Sequence, residues 1–190
     1  LPFVGLVNNA GVLRSVPIEF HSVEDARRMF ETNFFSVMTL VQLFLPLLRE
    51  SQGRLVNVSS FTAIAGPPLA GVYAATKGAI ESFSDSLRRE VAHFGISVSV
   101  IEPCYVATGL LSVASSESHG AVQKQDKDGH RELYFPFYTS TVESVIRFCV
   151  RRASSPTVTT EAIHVCSSLL PLFLSSFSFF LFSHFISLSL

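Results

Sequence analysis

Tyr73 and Lys77 stand four residues apart in the run AGVYAATKGAIESFSDSLRREVAHFG, residues 70–95. On a helix such a pair shares one face, so a phenol and an ammonium can reach the same small volume. A free phenol ionises at about pH 10, and a nearby positive charge favours its phenolate. The pair is therefore either a proton-transfer device or a plain surface contact, and the spacing alone does not separate the two. The surrounding run is built to pack. Apolar residues recur at Val72, Ala75, Ala79, Ile80, Phe83, Leu87, Val91 and Phe94, roughly helical spacing, and Gly95 stops the helix.

The elements that must carry this pair read as strands alternating with long helices. FVGLVNN, residues 3–9, is a buried strand closed by Asn-Asn-Ala-Gly. A helix is predicted over 23–49. It opens with a capping-box-like Ser22 and Asp25 and carries apolar residues at Phe30, Phe34, Val37, Val41, Phe44 and Leu48. Pro46 is expected to bend it or shorten its end. A second strand is predicted near 54–59 and the Tyr73 helix near 71–94. A third strand near 96–102 ends at Pro103. This alternation predicts right-handed βαβ units on a parallel sheet, an α/β architecture. Residues 105–138 read as a long polar loop roofing an apolar pocket over 109–138. A further amphipathic helix is predicted over 139–153, and a helix start at Thr159 or Thr160.

Composition removes several function classes. The 190 residues carry a formal charge of −1, which gives no electrostatic case for nucleic acid. Three scattered cysteines, Cys104, Cys149 and Cys166, suggest a reducing compartment, not a disulfide scaffold. The six histidines lack ligand spacing, so no metal is expected, and His93, His119 and His130 are read as surface residues. In open parallel sheets, ligands bind beyond the carboxyl ends of the strands. The unusual residues of this chain cluster there: Asn9-Ala10-Gly11, Ser59-Ser60, and Pro103 to Thr108, with Tyr73 and Lys77 on the helix after the second cluster.

NNAG at 8–11, Asn33 in the following helix, VNVSS, YAATK and EPCYVAT occur in the order and spacing of one family, and Ser60 precedes Tyr73 by thirteen residues. The chain resembles a short-chain dehydrogenase/reductase. SDSLRREVAHFGISVSVIEP resembles the branch acting on retinoids, steroids and related lipids. The resemblance spans about residues 3–165. It implies a Rossmann-like doubly wound parallel sheet and an oxidoreductase that interconverts an apolar alcohol and its carbonyl with NAD or NADP. It also implies Tyr73 as general acid/base and Lys77 tuning that phenol while reaching the cofactor ribose. Ser60 is then the donor to the substrate oxygen, and Asn33 holds a water that relays protons to Lys77. Cofactor contacts fall on Asn9, Ala10, Gly11, Tyr73, Lys77, Pro103, Val106 and Thr108. For Asn33 an alternative stands beside this: relief of a local helix distortion. Ser59 is read as stabilising the strand end. Two copies are expected to pair through the two long helices, in an intracellular setting that is cytoplasmic or at the endoplasmic reticulum membrane.

Two departures qualify the resemblance. Cys104 stands where the family usually has Gly after Pro, and Cys takes positive φ less cheaply. No Gly-rich strand–turn–helix fingerprint precedes NNAG. The first βαβαβ half, and with it the last core strand after 165, is therefore expected to be missing. An alternative follows: a catalytically silent remnant that serves as an interaction module or does not fold stably. Even on the main reading, the chain as it stands is expected to have negligible activity. The domain boundary is placed at 165/166. From Ala162 to Leu190 there is no charged residue, and eight serines lie between 167 and 190. This tail is read three ways: a membrane anchor lying as one helix, a non-native extension, or a buried core helix.

Overall fold

The computed structural model describes residues 3–104, 124–126, 129–130, 134, 178–181 and 186–189. The roof over 109–138 falls largely outside these residues. The helix expected over 139–153 and the helix start near Thr159 fall wholly outside them.

Three strands form the parallel frame. β1 (Gly5–Asn8), β2 (Arg54–Val58) and β3 (Ser97–Pro103) lie side by side in chain order. Gly5 is level with Arg54, and Arg54 with Ser97. All three lie where the apolar runs predict them. Between β1 and β2 the chain climbs through α1 (Val23–Phe30), a π-helical turn (Glu31–Phe35) and α2 (Ser36–Ser51). Ser22 caps α1, its Oγ accepting the Asp25 N–H at 3.0 Å. Pro46 does not end α2, which runs on to Ser51 and closes on Gln52 in the left-handed conformation, φ 50°. Gly53 must then be glycine. A Cβ there would stand 2.8 Å from Leu48 Cδ2 and 2.9 Å from Val4 O, a backbone atom that cannot step aside.

After β2 come a short helix α3 (Thr62–Ala65) and the long α4 (Gly71–Val91), continued by a 3-10 turn over Ala92–Phe94 that closes on Gly95 at φ 75°. α2 and α4 bury Val37, Val41, Leu48, Ile80, Leu87 and Val91 with Leu55, Ile96 and Val98 of the strand region. Each such side chain stabilises the fold by about 1.5–3 kcal/mol relative to exposure. The helix Val23–Ser51 is long and apolar enough to cross a membrane by length and composition. Here its buried residues, Met29, Asn33, Val37, Val41 and Leu48, lie among the buried residues of the fold, and a fully buried Asn at mid-helix suits a protein core.

The tail differs from the single-helix reading. β4 (Ser178–Leu181) and β5 (Ile186–Ser189) are strands, and β5 pairs antiparallel with β3, from Val100–Ser189 to Pro103–Ile186. β4 pairs antiparallel with β5, giving the order β1-β2-β3-β5-β4. The physical reason is partly local and partly the sheet edge. Ile186-Ser187-Leu188-Ser189 alternates with period two, Ser and Phe are weak helix formers, and the edge of β3 offers unpaired backbone groups.

Candidate active site

The carboxyl ends of β1, β2 and β3 bring the chemistry-bearing residues together. Beyond β2 the chain stays against β3: Ser59 N donates to Ile101 O at 2.8 Å and Phe61 N to Pro103 O at 3.1 Å. This holds Ser60 fixed beside the first turns of α4. Ser60, Tyr73 and Lys77 are buried, at 6%, 7% and 4% exposure. The Ser60 hydroxyl stands beside the Tyr73 phenol and favours its ionised form. Lys77 Nζ donates to Val58 O at 2.7 Å and lies 5.8 Å from the centre of the Tyr73 ring.

Burial sets the proton affinities. It pushes the Tyr73 phenol above its ordinary value, and the Ser60 hydroxyl opposes it. Burial lowers Lys77 from 10.5 to about 8, and Glu81 opposes that. The Glu81 carboxyl is raised, first by burial, with a Ser59 hydrogen bond opposing; its Oε1 is buried without a partner. The expectation that Lys77 draws the Tyr73 phenol downward is therefore not what these residues do among themselves. The ammonium is turned toward the Val58 carbonyl, and desolvation of the phenol wins.

Asn33 ties β1's exit loop to α4. Its Oδ1 accepts the Val12 N–H at 2.8 Å, and its Nδ2 donates to Val12 O at 2.9 Å and to Thr76 Oγ1 at 3.0 Å. Thr76 Oγ1 in turn donates to Tyr73 O at 2.7 Å. Both amide hydrogens are thus spent on protein, so a relay water at Asn33 would have to bind an oxygen. The helix is π-helical at this residue, so the distortion expected as an alternative does occur there. Asn9 and Ala10 are exposed at the β1 exit, and Gly11 packs close to the site: a Cβ there would lie in van der Waals contact with Asn33 Oδ1 at 3.5 Å and Lys77 Nζ at 3.7 Å. Pro103 closes β3, with Cys104 half-buried after it. Val106 and Thr108 lie outside the described residues.

Several residues here escaped sequence reasoning. Asn8 Nδ2 donates to Asn57 Oδ1 at 2.8 Å, Asn57 Nδ2 to Ser84 Oγ at 2.8 Å, and Ser84 Oγ to Ile80 O at 2.7 Å. This buried chain joins β1, β2 and α4 directly beneath the site. Asn57 inside the apolar run LVNV was the visible signal, since a fully buried amide needs partners. Thr76 and Glu81 gave no such signal. No group of His, Cys, Asp and Glu fit to hold a metal occurs among the described residues.

A parallel α/β sheet with a Ser–Tyr–Lys cluster beyond its carboxyl ends defines a Rossmann-like, dinucleotide-fold protein. The comparisons narrow that class. The short chain dehydrogenase family model matches residues 2–119, and the chain belongs to that family. It is 37% identical over 137 residues to human 17-beta-hydroxysteroid dehydrogenase type 6, covering 69% of this chain and 43% of that protein. It is 37% identical over 139 residues to mouse retinol dehydrogenase 16, covering 72% and 44%. Among solved structures, the closed form of serine dehydrogenase complexed with NADP+ matches 89% of this chain and 60% of that one, with TM-score 0.67 and 25% identity. The chain thus spans less than half the length of these curated relatives.

Proposed function

We propose that the full-length protein interconverts a lipid-like primary or secondary alcohol, of retinoid or steroid type, and its carbonyl by hydride transfer with NAD or NADP. The observation that carries this is the cluster of Ser60, Tyr73 and Lys77, all buried beyond the strand ends, with Lys77 Nζ 5.8 Å from the Tyr73 ring centre. The names of the hydroxysteroid and retinol relatives support the substrate class, and the NADP+ complex of the serine dehydrogenase supports the cofactor.

The exposed exit loop at Asn9 and Ala10, with the side-chain-free Gly11 close to Lys77, fits a group laid along the strand ends. Asn9, Ala10, Gly11, Tyr73, Lys77, Pro103, Val106 and Thr108 are the residues that would hold the dinucleotide. The bound nicotinamide supplies or accepts the hydride. Tyr73 moves the proton at the substrate oxygen: its phenol gives the proton in reduction, and its phenolate takes it in oxidation. The raised phenol is protonated at neutral pH, so these residues by themselves favour the donating direction. Ser60 donates to the substrate oxygen and steadies its developing charge. Asn33 and Thr76 hold the exit loop against the first turns of α4 and so orient Tyr73.

Leu40, Leu43 and Leu47 form an exposed apolar stripe on α2, which supports pairing of two copies through the long helices. An apolar substrate also suits an intracellular membrane surface, with residues 166–190 as the candidate contact. The test of the core reading is turnover of NADH or NADPH with retinal or a ketosteroid by the full-length protein. Tyr73→Phe is expected to remove that activity while far-ultraviolet circular dichroism stays unchanged. An unaltered rate in Tyr73→Phe would show the assigned chemistry to be wrong.

A further inference from the structure

Thr62 meets the Ser60 hydroxyl oxygen with two donors. Thr62 N donates to it at 3.2 Å, and Thr62 Oγ1 donates to it at 2.9 Å. A serine hydroxyl has two acceptor positions and one hydrogen. Thr62 fills both acceptor positions, so the hydrogen is what Ser60 has left to offer. That hydrogen is left for a neighbour or a substrate oxygen, and Tyr73 is the neighbour whose ionisation Ser60 favours. Burial at 6% exposure limits competition from solvent.

We propose that Thr62 is a positioning residue: it fixes the rotor of the Ser60 hydroxyl so that its one hydrogen is held toward Tyr73, where it is offered to the substrate oxygen. This rests on the reaction proposed above. A donor already aimed at a developing charge costs no reorganisation during the reaction, whereas a free rotor spends part of its time turned away. The Thr62 backbone N–H survives any substitution. The Thr62 hydroxyl does not, and it is the closer of the two contacts. A merely local role also exists for such geometry, because a Ser side chain accepting an N–H two residues on stabilises a turn at a helix start. That role predicts a change in stability and no change in the proton affinity of Tyr73.

Three variants separate the two: Thr62→Val removes the donor and keeps the shape, Thr62→Ala removes the donor and the β-branch, and Thr62→Ser restores the donor. In the full-length protein, Thr62→Val and Thr62→Ala are expected to lose about tenfold or more in kcat, less than loss of a direct donor. KM should stay within about threefold of wild type, and Thr62→Ser should return to near the wild-type rate. A second readout needs no turnover. The phenolate absorbance of Tyr73, isolated by subtracting the titration of Tyr73→Phe, should move to higher pH in Thr62→Val and back in Thr62→Ser. The proposal is overturned if folded Thr62→Val or Thr62→Ala keeps both the wild-type kcat and the wild-type Tyr73 titration. Should Tyr73→Phe itself stay active, the reaction proposed above fails, and the Tyr73 titration still decides whether Thr62 orients Ser60.

Discussion

Lys77 offers a stability test that needs no substrate. It is 4% exposed, and burial lowers its pKa from 10.5 to about 8. The unfolded lysine keeps the higher value. Between about pH 8 and 10.5 the unfolded chain therefore binds more protons than the native one, so stability rises with pH across that window. Below it the whole penalty stands. At about 1.4 kcal/mol for each pH unit, the distance from 10.5 to about 8 comes to roughly 3 kcal/mol at neutral pH. Lys77→Met keeps the apolar stem and removes the charge. It also takes the donor from Val58 O, which costs about 1 kcal/mol, and leaves Glu81 without its cation. The variant is therefore expected to be more stable than wild type by about 2 kcal/mol near pH 7, with nearly all of that gain gone near pH 9.5. Working below about pH 10 keeps the raised Tyr73 phenol, whose ionisation destabilises the native state, out of the comparison. Urea unfolding followed by far-ultraviolet circular dichroism at the two pH values measures this. A variant less stable than wild type by the same amount at both would refute the reasoning, because the lysine would then carry no burial penalty.

Asn33→Ala takes the side-chain partner from Val12 N and Val12 O and leaves Thr76 Oγ1 with only its bond to Tyr73 O, and is expected to cost about 3 kcal/mol in urea unfolding, with the exit loop loosened. Leu43→Asp places a charge on a side chain that is 65% exposed. It is expected to leave the urea midpoint within experimental error and to convert a sedimenting dimer to monomer if the α2 stripe is the pairing face. Residues 162–190 fused to a soluble reporter test the membrane reading. Membrane association through this tail predicts a carbonate-resistant pellet, and recovery in the washed soluble fraction would eliminate it.

The sequence by itself determined the frame and named the candidate residues at the strand ends. Apolar runs placed β1, β2 and β3, and Ser22 and Gly95 placed helix ends, because each of these signals is local to a few residues. The spacing put Tyr73 and Lys77 on one helix face, since i, i+4 neighbours must share one, while the role of Ser60 came only with the family resemblance. The apolar stripe of α4 was less informative. It emphasised Val72, Ala75 and Ala79, yet the helix buries Tyr73, Thr76, Lys77 and Ser84 beside Ile80, Leu87 and Val91. Only packing against β2 and β3 decides that a polar half-stripe turns inward, because its desolvation is offset by partners distant in sequence: Val58 O for Lys77, Asn57 for Ser84 and Asn33 for Thr76. The same holds for proton affinities. Spacing brings a lysine near a phenol, but burial and the direction of Nζ decide that the phenol rises and the lysine falls. The tail makes the point from the other side. Its composition is apolar enough for several fates, and the open edge of β3 is what draws residues 178–181 and 186–189 into strands, since an edge is a property of the assembled sheet and of no single segment.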